Sequence, residues 1–175
     1  MPGFKDALQI TLRFEGGLAD NPSDPGGRTM KGVTQSVYDS YRSTKSLPKQ
    51  DVALIATNEL EDIYYNGYWL TGHCDKLSWP VNMCHFDASV NHGTKGAARI
   101  LQRAAGVKDD GIIGPNTLNA INSIPVGILV NRMLWERIQY YLTICLLNGK
   151  LRIFLLAWIS RTKALYDITK SYISG

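Results

Sequence analysis

A glutamate, Glu15, ends a helical run and opens the stretch FEGGLADNPSDPGGRTMKGVT, residues 14–34, whose five glycines and two prolines cannot continue a helix. On a helical wheel Phe4, Ala7, Leu8, Ile10, Leu12 and Phe14 share one arc, with Lys5, Asp6, Gln9 and Arg13 opposite. Glu15 falls inside the apolar arc, with Thr11, Leu8 and Phe4 one, two and three turns behind it. An acid placed there loses water and faces the negative end of the helix dipole, and both effects favour its neutral form. A carboxyl kept protonated is what a general acid needs. Glycoside hydrolysis uses one to protonate the leaving oxygen, together with a second group that activates water or stabilises the developing cation. For that second role the loop supplies Asp24 and Asp20, and hydroxyls at Ser23, Thr29 and Thr34 that could position a water. The competing account is structural: a frayed helix end in which Gly16 and Gly17 cap the helix and Glu15 is solvated.

Other clusters offer weaker chemistry. The run IYYNGYWL sets Tyr64, Tyr65, Tyr68 and Trp69 on one helix; Trp69 and Tyr64 are expected in the core, and Tyr68 or Tyr65 as a ring lining a sugar cleft. In FDASVNHG, Asp87 and Asn91 lie one turn apart, where they could bind saccharide hydroxyl or acetamido groups or else satisfy each other and buried backbone. His92 is expected to be exposed. His73, Cys74, Cys84 and His85 have zinc-ligand chemistry, as in a zinc-dependent wall amidase. Adjacent residues diverge by about 100° on a helix, however, so separately buried side chains are the better account and no metal or cofactor is expected.

The elements that must position these residues are helical, since no segment sustains the alternation of a strand. The spacing predicts a first helix over 4–15, a second capped by Thr34, a turn capped by Asp51, and an aromatic helix capped by Thr57. Pro80 and Gly93 bracket a longer helix. TKGAARILQRAAG forms another, VKDDGIIGP a turn, and a further helix follows from Asn116. Two buried C-terminal helices, about 129–147 and 151–172, meet near Asn148 and Gly149, where Lys150 and Arg152 also interrupt an otherwise apolar stretch too broken to span a membrane.

The length of 175 residues suits one compact lysozyme-sized domain or two lobes. Charged residues at 19% and apolar ones at 45% exclude disorder. The net charge of +4 is dispersed along the chain and favours a polyanionic partner only mildly. Three cysteines cannot all pair, which points to reduced thiols, and MPGFKDALQITLRF has no secretory signal pattern; synthesis in the cytoplasm is expected.

FEGGLADNPSDPGGRTMKGVT, YNGYW at 65–69, FDASVNHG at 86–93 and ILQRAAGVKDDGIIGPNTLNAI at 100–121, in that order, resemble glycoside hydrolase family 108 and the peptidoglycan-binding portion that accompanies it. The resemblance implies a mainly α, lysozyme-like fold with a Gly-rich active-site loop and a helical C-terminal lobe. It implies a catalytic region over 1–93 and a wall-binding region over 94–175. It further implies an N-acetylmuramidase with Glu15 as catalytic acid; beside it, the residues themselves offer Asp24 or Thr29 to handle water and Tyr68, Asp87 and Asn91 to contact the substrate. Its partners would be peptidoglycan strands and peptide stems, not nucleic acid. Family members serve as phage endolysins or in protein and toxin release, so action in the periplasm or wall after non-classical export, with a holin-like partner, is expected. A non-catalytic wall-binding protein on the same fold is the alternative.

Overall fold

The computed structural model describes residues 2–20 and 27–173. The chain forms two compact units, Met1–Gly67 and Tyr68–Gly175. Among the described residues helices dominate and the only sheet is small, which gives the mainly α, lysozyme-like class.

In the first unit, α1 (Phe4–Leu12) buries Ala7, Leu8, Ile10 and Thr11, and Asp6 accepts from the Gly3 N–H at 2.8 Å to start it. Three two-residue strands follow: β1 (Leu18–Ala19), β2 (Thr29–Met30) and β3 (Val33–Thr34). They pair antiparallel, Leu18 opposite Met30 and Met30 opposite Val33, so Lys31 and Gly32 alone make the turn from β2 to β3. Thr34 ends β3 and caps α2 (Gln35–Thr44) by accepting from the Val37 N–H. Asp51 likewise caps a 3-10 turn, Val52–Leu54.

Helix α3 (Thr57–Tyr64) starts differently from the expectation. Its cap is Ala56, whose N–H donates to Glu59 Oε2 at 3.1 Å, and Thr57 is already helical. Glu59 can reach back because it also anchors α3 to α2: Tyr38 Oη donates to it at 2.5 Å and Arg42 Nη1 at 2.6 Å. Burial alone would raise the Glu59 carboxyl, but Tyr38, the Ala56 N–H and Arg42 hold it below the usual carboxylate range.

The second unit is built on α4 (Val81–Ala105), α5 (Pro115–Asn122), α6 (Val126–Leu147) and α7 (Arg152–Ile173). Gly93 stops one helix as expected, and a second follows it directly. Its φ of 71° and ψ of 156° break the path of α4, and helix resumes at once, so one residue joins the two predicted helices. Gly106, at φ 71°, ends α4 in a left-handed cap. Gln102 fixes the loop beyond it, donating to Asp110 Oδ1 at 2.9 Å and accepting from the Gly111 N–H at 2.8 Å. Beside the rings of Trp69 and Tyr141, this core is filled by Met83, Phe86, Ile100, Leu101, Leu129, Met133 and Leu165.

α6 and α7 turn at Asn148, where the sequence places the junction, but the expectation that both are buried holds only away from the turn. Leu146, Leu147, Ile153 and Leu156 are between 77% and 83% exposed. Only one stripe of α6 is inward: Val130, Met133, Leu134, Arg137, Tyr141 and Cys145.

Candidate active site

α1 stops at Leu12, with Arg13 as its C-cap, so Glu15 lies beyond the helix end. The negative end of the α1 dipole therefore does not act on it as it would on a terminal helical residue. What positions Glu15 is the hairpin. A Cβ on Gly32 would sit 2.5 Å from Tyr64 Oη, 3.0 Å from Glu15 Oε2 and 3.4 Å from Glu15 Cδ, so the carboxyl, the phenol and the turn share one small volume. Gly32 is required twice over, for this close approach and for its φ of +78°. Lys31 precedes it at φ 47°, unusual for a residue with a side chain, and Tyr64 Oη donates to the Lys31 carbonyl at 2.8 Å, which pins the turn. Tyr64 was expected in the core and is 1% exposed, but its hydroxyl does this second job. Glu15 remains partly open to solvent.

Thr29, in the middle strand of the hairpin, is half-buried; its hydroxyl donates to the Gly27 carbonyl at 3.0 Å, leaving its lone pairs available as acceptors. Between them Arg28 pairs with Asp20 and, through Nε at 2.8 Å, with Asp51, tying the hairpin to the turn before α3. Arg28 and the Ala53 N–H hold the Asp51 carboxyl below its ordinary range. Asp20 is thus committed to Arg28, and Asp24 and Ser23 lie outside the described residues. Thr34 is engaged as a helix cap. Tyr65 packs edge-on against Phe4 at 4.9 Å.

In the second unit Tyr68 is half-buried in a π-helical stretch, Tyr65–Leu70, and Trp69 packs against Phe86 at 5.6 Å, as expected for a core ring. Asp87 is at 0% exposure. Arg137 Nη1 donates to its Oδ2 at 2.8 Å and Arg161 Nη2 to its Oδ1 at 2.8 Å, so a saccharide has no access to the carboxylate. Burial would raise the Asp87 carboxyl, but the two guanidiniums hold it below the ordinary range. Nor do Asp87 and Asn91 satisfy each other. Arg137 Nη2 donates to Tyr141 Oη at 3.2 Å, and Tyr141 Oη donates to Asn91 Oδ1 at 2.8 Å. Asn91 is otherwise exposed, and its amide nitrogen makes no hydrogen bond among the described residues. His92 is half-buried, not exposed, between Tyr140 and Tyr141, and burial pushes its pKa down to about 3.

Sequence reasoning missed Arg137, Tyr141 and Arg161 as partners of the FDASVNHG segment. A signal was present, because Arg137 falls on the inward stripe of an apolar helix, where a charge requires a buried partner. His85 is buried with Nε2 2.9 Å from the Gly72 carbonyl, Cys74 and Cys84 are buried thiols, and among the described residues no three His, Cys, Asp or Glu side chains converge on one point.

Residues 8–93 match the family model described as Glycosyl hydrolase 108, and residues 96–163 match the one described as Predicted Peptidoglycan domain. Among solved structures the chain is similar to SagA of Brucella abortus, with a TM-score of 0.80 and 26% identity over 98% of this chain and 96% of that one. No curated protein sequence matches it significantly. With the glutamate and its glycine turn inside the first of these segments, residues 8–93 form a glycosyl hydrolase 108 region, and the chain is a glycoside hydrolase that acts on peptidoglycan.

Proposed function

We propose that this hydrolase is an N-acetylmuramidase cutting the β-1,4 bond from N-acetylmuramic acid to N-acetylglucosamine, with Glu15 as the proton donor. The observation that carries this reading is the Glu15 carboxyl set against the Lys31–Gly32 turn of a short sheet. In the proposed reaction Glu15 gives its proton to the glycosidic oxygen as the bond to the muramic carbon breaks. Water then adds to that carbon, and its proton leaves to a base. Thr29 suits the placing of that water, since its oxygen accepts while its hydrogen is spent on Gly27. Asp24 is proposed as the base. Tyr68 and Asn91 are proposed to contact the strand, and Asp87 to hold α4, α6 and α7 together instead of binding sugar. Residues 1–93 would then cut and 94–175 would hold the wall. In the cell the same cut would serve lysis or the release of a protein such as a toxin, with a holin-like partner for export.

Digestion of purified peptidoglycan by native protein and by Glu15→Gln tests the reading. New reducing muramic ends from the native protein alone are expected. Reducing glucosamine ends, anhydro-muramic ends or freed peptide stems would each replace it with another wall-cleaving reaction. Cutting that persists in Glu15→Gln would remove Glu15 from the mechanism.

A further inference from the structure

The turn between α6 and α7 exposes Leu146 at 77%, Leu147 at 83%, Ile153 at 79% and Leu156 at 77%, a concentration of aliphatic surface that a soluble fold ordinarily hides. The cations of this tip are Lys150 and Arg152, and neither forms an ion pair among the described residues. From Arg137 to Tyr166 the sequence contains no Asp or Glu. Further along the same two helices lies an open groove of about 300 Å³ lined by Leu134, Trp135, Ile138, Ile159, Lys163 and Tyr166. No described helix is long and apolar enough to cross a membrane.

We propose that this hairpin tip is a peripheral membrane anchor that seats on a bilayer rich in anionic lipid, its leucines and isoleucine entering the headgroup boundary and Lys150 and Arg152 meeting lipid phosphates. Charge selects this occupant. A second copy across a two-fold axis would set Lys150 and Arg152 against their own duplicates, whereas an anionic leaflet offers both the apolar layer and the counter-charge. A glycan strand would call for flat rings to stack on and hydrogen-bonding groups, and the four most exposed large apolar side chains of the tip are aliphatic, with Phe154 less exposed at 48%. The anchor would keep the hydrolase at the membrane face of the wall without spanning the bilayer.

Cosedimentation with vesicles tests this, using phosphatidylglycerol mixed with phosphatidylethanolamine against phosphatidylcholine alone. Native protein is expected to bind the anionic vesicles, and more weakly as salt rises. Lys150→Ala with Arg152→Ala is expected to weaken that binding about thirtyfold, from the loss of two cations at the surface. Leu147→Glu with Ile153→Glu, at side chains already in water, is expected to abolish it while leaving the hydrolysis of short soluble glycan fragments unchanged, so the anchor and the active site fail independently. Native protein that stays in solution with anionic vesicles would overturn the proposal. So would unchanged binding in the Glu variant, or a lipid-free dimer that the Glu variant dissolves.

Discussion

Around Asp87 each carboxylate oxygen is met by a guanidinium and none of the side chain reaches solvent, whereas around Glu15 the nearest neighbours include a two-residue turn and a tyrosine hydroxyl, and the side chain stays partly open. Both acids lie in segments that resemble the same family, and on sequence either could have served the substrate. The fold gives them opposite work. A carboxylate enclosed by two arginines is a joint between helices, because freeing it would leave two buried cations unmatched. A carboxyl beside backbone at the edge of a small sheet can be approached by a ligand while its position stays fixed.

The sharpest way to break the comparison is Asp87→Ala. It strands Arg137 and Arg161 and should cost about 3–5 kcal/mol of stability, measured by urea unfolding of the whole chain. A loss below about 1 kcal/mol would mean that the cluster is far wetter than its burial indicates.

Acid provides the next largest effect. His85 is fully buried, and burial lowers its pKa from 6.5 to about 4. Over that interval the unfolded chain binds a proton that the folded chain refuses, so stability is full above pH 6.5 and falls as pH drops toward about 4. The loss from His85 should approach about 3 kcal/mol; His92, lowered by burial in the same direction, adds its own loss over this window, so His85→Gln should reduce the slope without removing it in a series of urea titrations.

Gly32→Ala is expected to cost about 1–3 kcal/mol, because the new methyl meets Tyr64 Oη at a backbone of positive φ. It should also reduce peptidoglycan hydrolysis more than stability alone explains, since the turn and the Glu15 carboxyl would have to separate. Thr29→Val should have the smallest effect: the fold persists, and hydrolysis falls roughly tenfold, about the worth of one hydrogen bond to a positioned water.

Much of the scaffold was legible because its determinants are local. Thr34 caps α2 through an N–H three residues on, Asp51 caps a turn two residues on, and Gly106 and Pro115 bracket the loop between them. The motif around Glu15 was legible for the same reason, as a run of glycines that only a tight loop can use. Partners far apart in sequence were not. Asp87 meets Arg137 across 50 residues and Arg161 across 74, and periodicity on one helix says nothing about which helix will face it. Thr57 was misjudged because Glu59, drawn in by Tyr38 and Arg42, reaches back to the Ala56 N–H and makes Ala56 the cap in its place. The exposed hairpin tip escaped the reading because apolar residues at helical spacing look the same whether a core or a bilayer covers them.

Release of soluble fragments from purified peptidoglycan, followed for native protein and Glu15→Gln with both shown to unfold at the same urea concentration, tests the central claim most directly. The account predicts a fall of at least about a hundredfold in the variant, the loss of a positioned general acid from an intact fold. Equal rates from the two proteins would contradict it.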